Sequence, residues 1–308
     1  MIDVIAIGGA TIDLFFKSDD FTIKEQTLQF VHGEKFVVDN FTQTYGGGGV
    51  NAAVCFARLG LRSGLLTHLS SDFFGDKIIE NLANEHVDLS LLNRDDQLKT
   101  AVSSILLDQT GERTIIMYRG QTDTLAGATI DQETFLSAKW LYICDSYTTD
   151  LSLQRKLMAL VRERGAKVVF VPSQRQLQHG ITGMTDLLAE TDVFILNRYE
   201  ASLLTGLTDE KQTVEDIAKL GPAIVIITKD SEGVIAYANG VHYKEPANNI
   251  PIVDTTGAGD AFASTFVTCL QRSIPLQEAL HLACKNAESV ISHIGSQPGL
   301  LSQEQLFG

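Results

Sequence analysis

The chain has 308 residues, with 24 Lys and Arg against 38 Asp and Glu, a formal charge of −14, 44% hydrophobic residues and four Cys. That length suits one large α/β domain with an appendage, and it buries enough surface to fold without a disulfide or metal staple. The charge repels nucleic-acid phosphates and anionic membranes, which excludes those partners and leaves any phosphate site to rely on backbone amides and a bound cation.

The opening residues Met1-Ile-Asp-Val-Ile-Ala-Ile-Gly predict a short buried strand from Val4 to Ile7 that ends at Gly8-Gly9, without the basic start and apolar core of a signal peptide. Asp13 follows, and is expected at the carboxyl edge of that strand, where open α/β sheets bind ligands. Residues 15–45 carry no helical pattern, and Lys35-Phe-Val-Val-Asp39 alternates like a strand. Tyr45 and four glycines then lead into a predicted helix from Gly49 to Leu59, stopped by Gly60. The glycines let a polar ligand approach the backbone and Asn51 offers a donor and an acceptor; a flexible hinge would leave the same trace.

Strands are predicted at Gly64–Thr67, Trp140–Cys144, Val168–Val171, Val193–Leu196 and Ala223–Thr228. Helices at Phe74–Glu85, Leu151–Glu163, Arg198–Thr205 and Thr213–Lys219 fall between them. This alternation implies an α/β fold, a Rossmann-like, mostly parallel sheet sandwiched by helices. Ser103–Leu107 and Thr114–Tyr118 form a predicted hairpin around Asp108-Gln-Thr-Gly-Glu112, and Ala238-Asn-Gly-Val241 makes another tight turn. Residues 15–45 and 101–119 are therefore expected to build a small projecting β-sheet, a lid. Residues 1–14, 46–100 and 120–308 form the catalytic α/β domain.

Asn197 and Glu200, three apart after a strand, share one helix face and can orient Mg²⁺ through water, although an ordinary helix start reads alike. The run Val253-Asp-Thr-Thr-Gly-Ala-Gly-Asp-Ala-Phe262 joins a strand expected at Ile252–Val253 to a helix from Asp260 to Arg272. Gly257, Ala258 and Gly259 leave amides uncovered where the helix begins, which makes an anion site. Asp260 beside it can take a proton from an attacking hydroxyl; the alternative is a Gly-rich turn that Asp260 merely caps. There is no Gly-Lys pair of a P-loop, no third glycine of a dinucleotide fingerprint and no G-x-S-x-G elbow. Cys55, Cys144, Cys269 and Cys284 form no C-x-x-C pair and suit buried free thiols in a reducing cytoplasm. No apolar run approaches the ~20 residues of a membrane helix.

Gly46-Gly-Gly-Gly-Val-Asn-Ala-Ala53, Ala57-Arg-Leu-Gly60 and Asp254-Thr-Thr-Gly-Ala-Gly-Asp-Ala-Phe262 resemble the two signatures of ribokinase-like (PfkB-type) carbohydrate kinases, and the likeness covers essentially the whole chain. The resemblance implies a β-lid over a Rossmann-like domain, with ATP and Mg²⁺ on the domain and a small neutral sugar beneath the lid. Asp260 falls on the family's base and Gly257, Ala258 and Gly259 on its anion hole. Asp13, Gly47 and Asn51 fall on positions that hold sugar hydroxyls, and Asp145 on an acidic sugar contact. Asn197 and Glu200 match an N-x-x-E element that serves Mg²⁺ and phosphate. Thr228 and Gly233 fall on the nucleotide loop, and Asn286 near the adenine pocket. Asp254 and Thr256 lie where many relatives bind a monovalent cation such as K⁺, chiefly through backbone oxygens. Two positions depart from the ribokinase pattern: Gly48 stands where a lysine is usual, and Asp230 replaces the middle glycine of the nucleotide loop. A nucleoside acceptor, or a sugar sensor without catalysis, stays open. Relatives pair their lids across a two-fold axis, which implies a homodimer.

Overall fold

The structure is a computed structural model and describes residues 2–19, 21–24, 27–108, 113–120, 125, 128–144 and 150–308. Among the described residues, eight strands form the main sheet. Their order is Val241–Glu245, Val234–Ala238, Ile224–Thr228, Val193–Asn197, Lys167–Val171, Trp140–Cys144, Val4–Ile7 and Ser63–Leu66. Pairing is parallel from Ser63–Leu66 to Ile224–Thr228, and the last two strands turn back antiparallel. Asn239 and Gly240, at φ 51° and 79°, make the turn between those two, as Asn-Gly predicts.

Both sheet faces are covered, which is why the strands read as continuous apolar runs. Val4, Ala6, Trp140 and Tyr142 pack on one side, beneath the helices Gly48–Arg58, Ala258–Gln271 and Leu276–Ile291. Ile5, Ile7, Leu141 and Ile143 pack on the other. Each buried Val, Leu or Ile among them contributes roughly 1.5–3 kcal/mol by leaving water. No helix among the described residues is long and apolar enough to cross a membrane.

A second sheet of four strands stands on the first, in the order Arg113–Tyr118, Ala101–Leu107, Thr11–Lys17 and Asn40–Gly46. It begins at Thr11, so Asp13 lies within this sheet rather than on a loop at the edge of the main one. The strand expected at Lys35–Asp39 does not form; Asn40–Gly46 takes its place. Ile252 and Val253 likewise form no strand, and the Val253 amide donates to the Ile291 carbonyl instead.

In register, Asp13 faces Thr44 on one neighbour and Ser103 on the other, so the three share one face. All three are buried. Farther along that face Phe15, Ile105 and Leu107 pack together against Ile294 of the main domain. The inward face is therefore polar near the main sheet and apolar beyond it. The opposite face exposes Phe41, Ile116 and Tyr118.

Candidate active site

The glycines of the first signature meet another stretch of the same chain. A Cβ at Gly49 would lie 2.6 Å from the Gly8 carbonyl carbon, and one at Gly47 would lie 2.5 Å from the Gly9 carbonyl oxygen. The Gly49 amide donates to Gly9 O at 3.1 Å. Glycine is thus required at 47 and 49 by the turn that leaves the first strand. Gly48 opens the helix, buried.

That packing fixes the helix Gly48–Arg58 against Ala258–Gln271, whose contacting faces carry Ala and other small residues. One turn in, Cys55 Sγ and Thr265 Oγ1 stand 3.8 Å apart. At the mouth, Asn51 Nδ2 donates to Asp260 Oδ2 at 2.8 Å. Ser296 Oγ lies 2.8 Å from Asn51 Oδ1 and 2.9 Å from Tyr45 O, where its single proton serves either oxygen. Asn51 therefore orients the carboxylate of Asp260.

Gly257, at φ 82°, caps the Ala258–Gln271 helix, and a Cβ there would lie 2.3 Å from Ser296 Cβ. A Cβ at Gly259 would meet nothing within 4 Å. The first-turn amides of this helix lack intrahelical acceptors by geometry, the Ala258 amide donating instead to Thr255 O at 3.4 Å, and the space beside Gly259 is open. Asp254 is spent on shaping the loop: Oδ1 accepts from Thr256 N and Oγ1, and Oδ2 from Gly295 N. From the second sheet, Arg113 donates to Thr255 Oγ1.

Gly259 and Asp260 open into a cleft of about 600 Å³ that is also lined by Cys144, Asn197, Glu200 and Thr228, at the carboxyl ends of the parallel strands. Asn197 Oδ1 accepts from Glu200 N at 2.8 Å, and Glu200 Oε2 accepts from Asn197 N at 2.9 Å. The pair is thus a capping box that also faces the cleft. Arg119 and Arg175 line it too. With these two cations in its lining, an anion here need not depend on amides and a bound cation alone. Ser296, Thr44 and Arg175 escaped the sequence; Arg175, four residues beyond a strand end, was open to discovery by its position alone.

Asp13 is buried on the inward face of the second sheet. Burial pushes its carboxyl above the ordinary carboxylate range, nearby Asp254 adds to the rise, and hydrogen bonds from Ser103 and Thr11 oppose it. A raised folded-state pKa means that ionised Asp13 costs stability at neutral pH. The cost fades as pH falls through the raised value toward the unfolded value of 3.8. Asp13→Asn is expected to raise the melting temperature at pH 7 and to flatten its pH dependence. If Asp13 receives an acceptor hydroxyl, the same change weakens acceptor binding by roughly 1.5–3 kcal/mol, with ATP affinity unchanged. Melts at two pH values and calorimetry with each ligand check both; lost ATP affinity with intact acceptor affinity would move Asp13 to the other site.

The family model for pfkB family carbohydrate kinases matches residues 1–303. The chain belongs to that family. It is an ATP-dependent carbohydrate kinase, a phosphotransferase with an alcohol acceptor. It is 27% identical over 278 residues to a ribokinase of Haemophilus influenzae, covering 89% of each chain. It is 32% identical over 235 residues to a fructokinase of Klebsiella pneumoniae, covering 72% of this chain and 75% of the other. Among solved structures it is similar to the Arabidopsis thaliana ribokinase complexed with ribose and ATP, with TM-score 0.82, 22% identity and coverage of 99% and 97%.

Not every expected position reaches the kinase's cleft. Asn286 is a core residue with no exposure: Nδ2 donates to Thr265 Oγ1 at 2.7 Å, and Oδ1 accepts from Leu301 N at 2.9 Å. Gly233, at φ 85°, is needed for close packing, since a Cβ would lie 2.0 Å from Glu245 O. Asp230 stands at φ 49°, in the left-handed region, which Asp tolerates. Asp145 lies outside the described residues.

Proposed function

We propose that the kinase moves the γ-phosphoryl group of ATP to a hydroxyl of a small neutral sugar seated between the second sheet and the Gly48–Arg58 helix. The observation that carries this is Asp260, held by Asn51 at 2.8 Å on the first turn of its helix, where it and Gly259 line the same cleft as Asn197, Glu200 and Thr228. The orphaned, buried Thr44 Oγ1, on the same face as Asp13 and Ser103, suits a polyhydroxylic acceptor.

Asp260 accepts the proton of the attacking hydroxyl, and the amides of residues 257–259 receive the charge of the transferring group. Arg119 and Arg175 draw the polyphosphate into the cleft. Among the described residues no cluster of three or more His, Cys, Asp or Glu could cage a metal. That suits Mg²⁺ carried chiefly by phosphate and water, with Glu200 and Asn197 behind the water. When bound, Mg²⁺ neutralises the triphosphate. With the Asp254 carboxylate already spent, K⁺ would be held by backbone oxygens of Asp254 and Thr256. Four buried free thiols accord with a cytoplasmic setting.

An ATP-consumption screen across pentoses, hexoses and nucleosides tests the acceptor. Turnover confined to nucleosides would replace the sugar, and no turnover on any would favour a sensor.

A homodimer through the outer face of the lid belongs to the same proposal. Ile105 and Leu107 are covered within the chain, whereas Phe41, Ile116 and Tyr118 stay exposed on the outer face, and Phe16 packs on Phe41 at 5.3 Å. Contiguous exposed apolar groups on a strand face favour pairing. Light scattering over a dilution series should give twice the mass of one chain; a monodisperse single-chain mass at tens of micromolar would sink the dimer.

A further inference from the structure

A second cleft, of about 370 Å³, opens at the amino edge of the main sheet, where Trp140 and Lys167 begin the two strands whose far ends line the active cleft. Lys139, Arg164 and Lys167 line it, and no carboxylate does. Elsewhere in this acidic chain Arg58, Arg62, Arg94, Arg155, Arg162 and Arg198 each pair with a carboxylate. Among the described residues Arg164 and Lys167 have no such partner. Lys167 Nζ instead stands 5.1 Å over the Trp140 ring, and Lys139 alone is neutralised, by Asp3 at 2.8 Å. Trp140 Nε1 donates to Gln271 Oε1 at 2.8 Å, which leaves the Gln271 amide nitrogen as a further donor at the wall. Gly165, in the left-handed region at φ 74°, has nothing within 4 Å of where a Cβ would stand, which leaves the cleft open on that side, while its amide donates to Arg162 O at 2.9 Å, so the side chains of Arg164 and Lys167 must hold the anion.

We propose that this cleft is a second anion site that takes a small phosphate monoester or free phosphate, separate from the active cleft. Two uncompensated cations match the charge of about −1.5 to −2 that a phosphate monoester carries at pH 7. The volume lies at the lower end of small-molecule sites, roughly 300–1,000 Å³, and suits a sugar phosphate better than a nucleotide. Along the strands, four residue steps of about 3.3 Å separate it from the active cleft, so the two sites do not share a ligand.

Trp140 is the only tryptophan of the chain, so all tryptophan emission arises at the wall of this cleft. Inorganic phosphate and ribose 5-phosphate are each titrated into the full-length protein, with potassium chloride at matched ionic strength as control. The expected result is a saturable change with at least one of the phosphates and none with chloride. Arg164→Ala combined with Lys167→Ala should weaken it by about tenfold or more, since two charge-assisted contacts are lost. Both side chains are exposed, so the melting temperature should hold. Arg175→Ala, in the active cleft, should leave the titration unchanged. Tighter binding of ribose 5-phosphate assigns a sugar phosphate, and equal binding assigns the phosphate group alone. Equilibrium dialysis of both labelled ligands against wild type and the double variant repeats the comparison without the fluorophore. Dialysis in which the double variant binds each as well as wild type overturns the site, whatever the emission does.

Discussion

Asp260→Asn is expected to lower turnover by about 10²- to 10⁴-fold, the usual loss when a general base is removed, while the protein stays folded and binds ATP. The geometry separates these effects. Asn51 Nδ2 donates to Asp260 Oδ2, and an asparagine at 260 can present its own oxygen to that donor, so the bridge between the two signature helices survives. Asp260 stands on the open first turn of its helix, where loss of a negative charge costs only about 0.3–1 kcal/mol of dipole interaction. What the variant cannot do is accept the hydroxyl proton. Turnover measured on the acceptor found by the screen, beside calorimetry with ATP, checks this. Near wild-type turnover would remove Asp260 from the chemistry, and a collapsed melting temperature would make its role structural.

The parallel core was legible in the sequence because burial on both faces leaves unbroken apolar runs, as in Trp140–Cys144, whose bounds match. The second sheet was harder because its buried face is partly polar. In Asn40–Gly46 the inward residues include Thr44, while Phe41 points out and is 58% exposed. Alternation there runs against the usual sense, since the inner face is turned to a ligand site. Lys35–Asp39 alternated apolar residues better and formed nothing regular. Within the site, Asp260 and Gly259 announced themselves through local spacing. Ser296 did not, for its partners Asn51 and Tyr45 lie some 250 residues away in sequence and only the fold brings them together. Asn286 misled for the converse reason: a buried amide satisfied by Thr265 and Leu301 has the same letter as one that meets a ligand.

The glycines at 257 and 259 look interchangeable in sequence, and their environments predict opposite failures. Gly257→Ala places a methyl against Ser296 at 2.3 Å in a left-handed backbone, so it should destabilise the fold itself. A Cβ at Gly259 meets no atom of neighbouring elements within 4 Å, and the position lies inside a helix, where leaving glycine offsets the modest helix cost of a branched residue such as Val. The melting temperature of Gly259→Val should stay near wild type. Its isopropyl group, however, is expected to fill the open space beside Gly259, which the proposed mechanism reserves for the transferring phosphoryl group. Loss of one such donor costs roughly 3–4 kcal/mol in the transition state, or about 10²- to 10³-fold in turnover. Gly259→Ala, with a smaller cover, should fall between the two. Melting curves and turnover measured on all three variants test the division. A stable and fully active Gly259→Val protein would show that these amides do not hold the transferring group, and the charge would then have to be met by Arg119 and Arg175 across the same cleft.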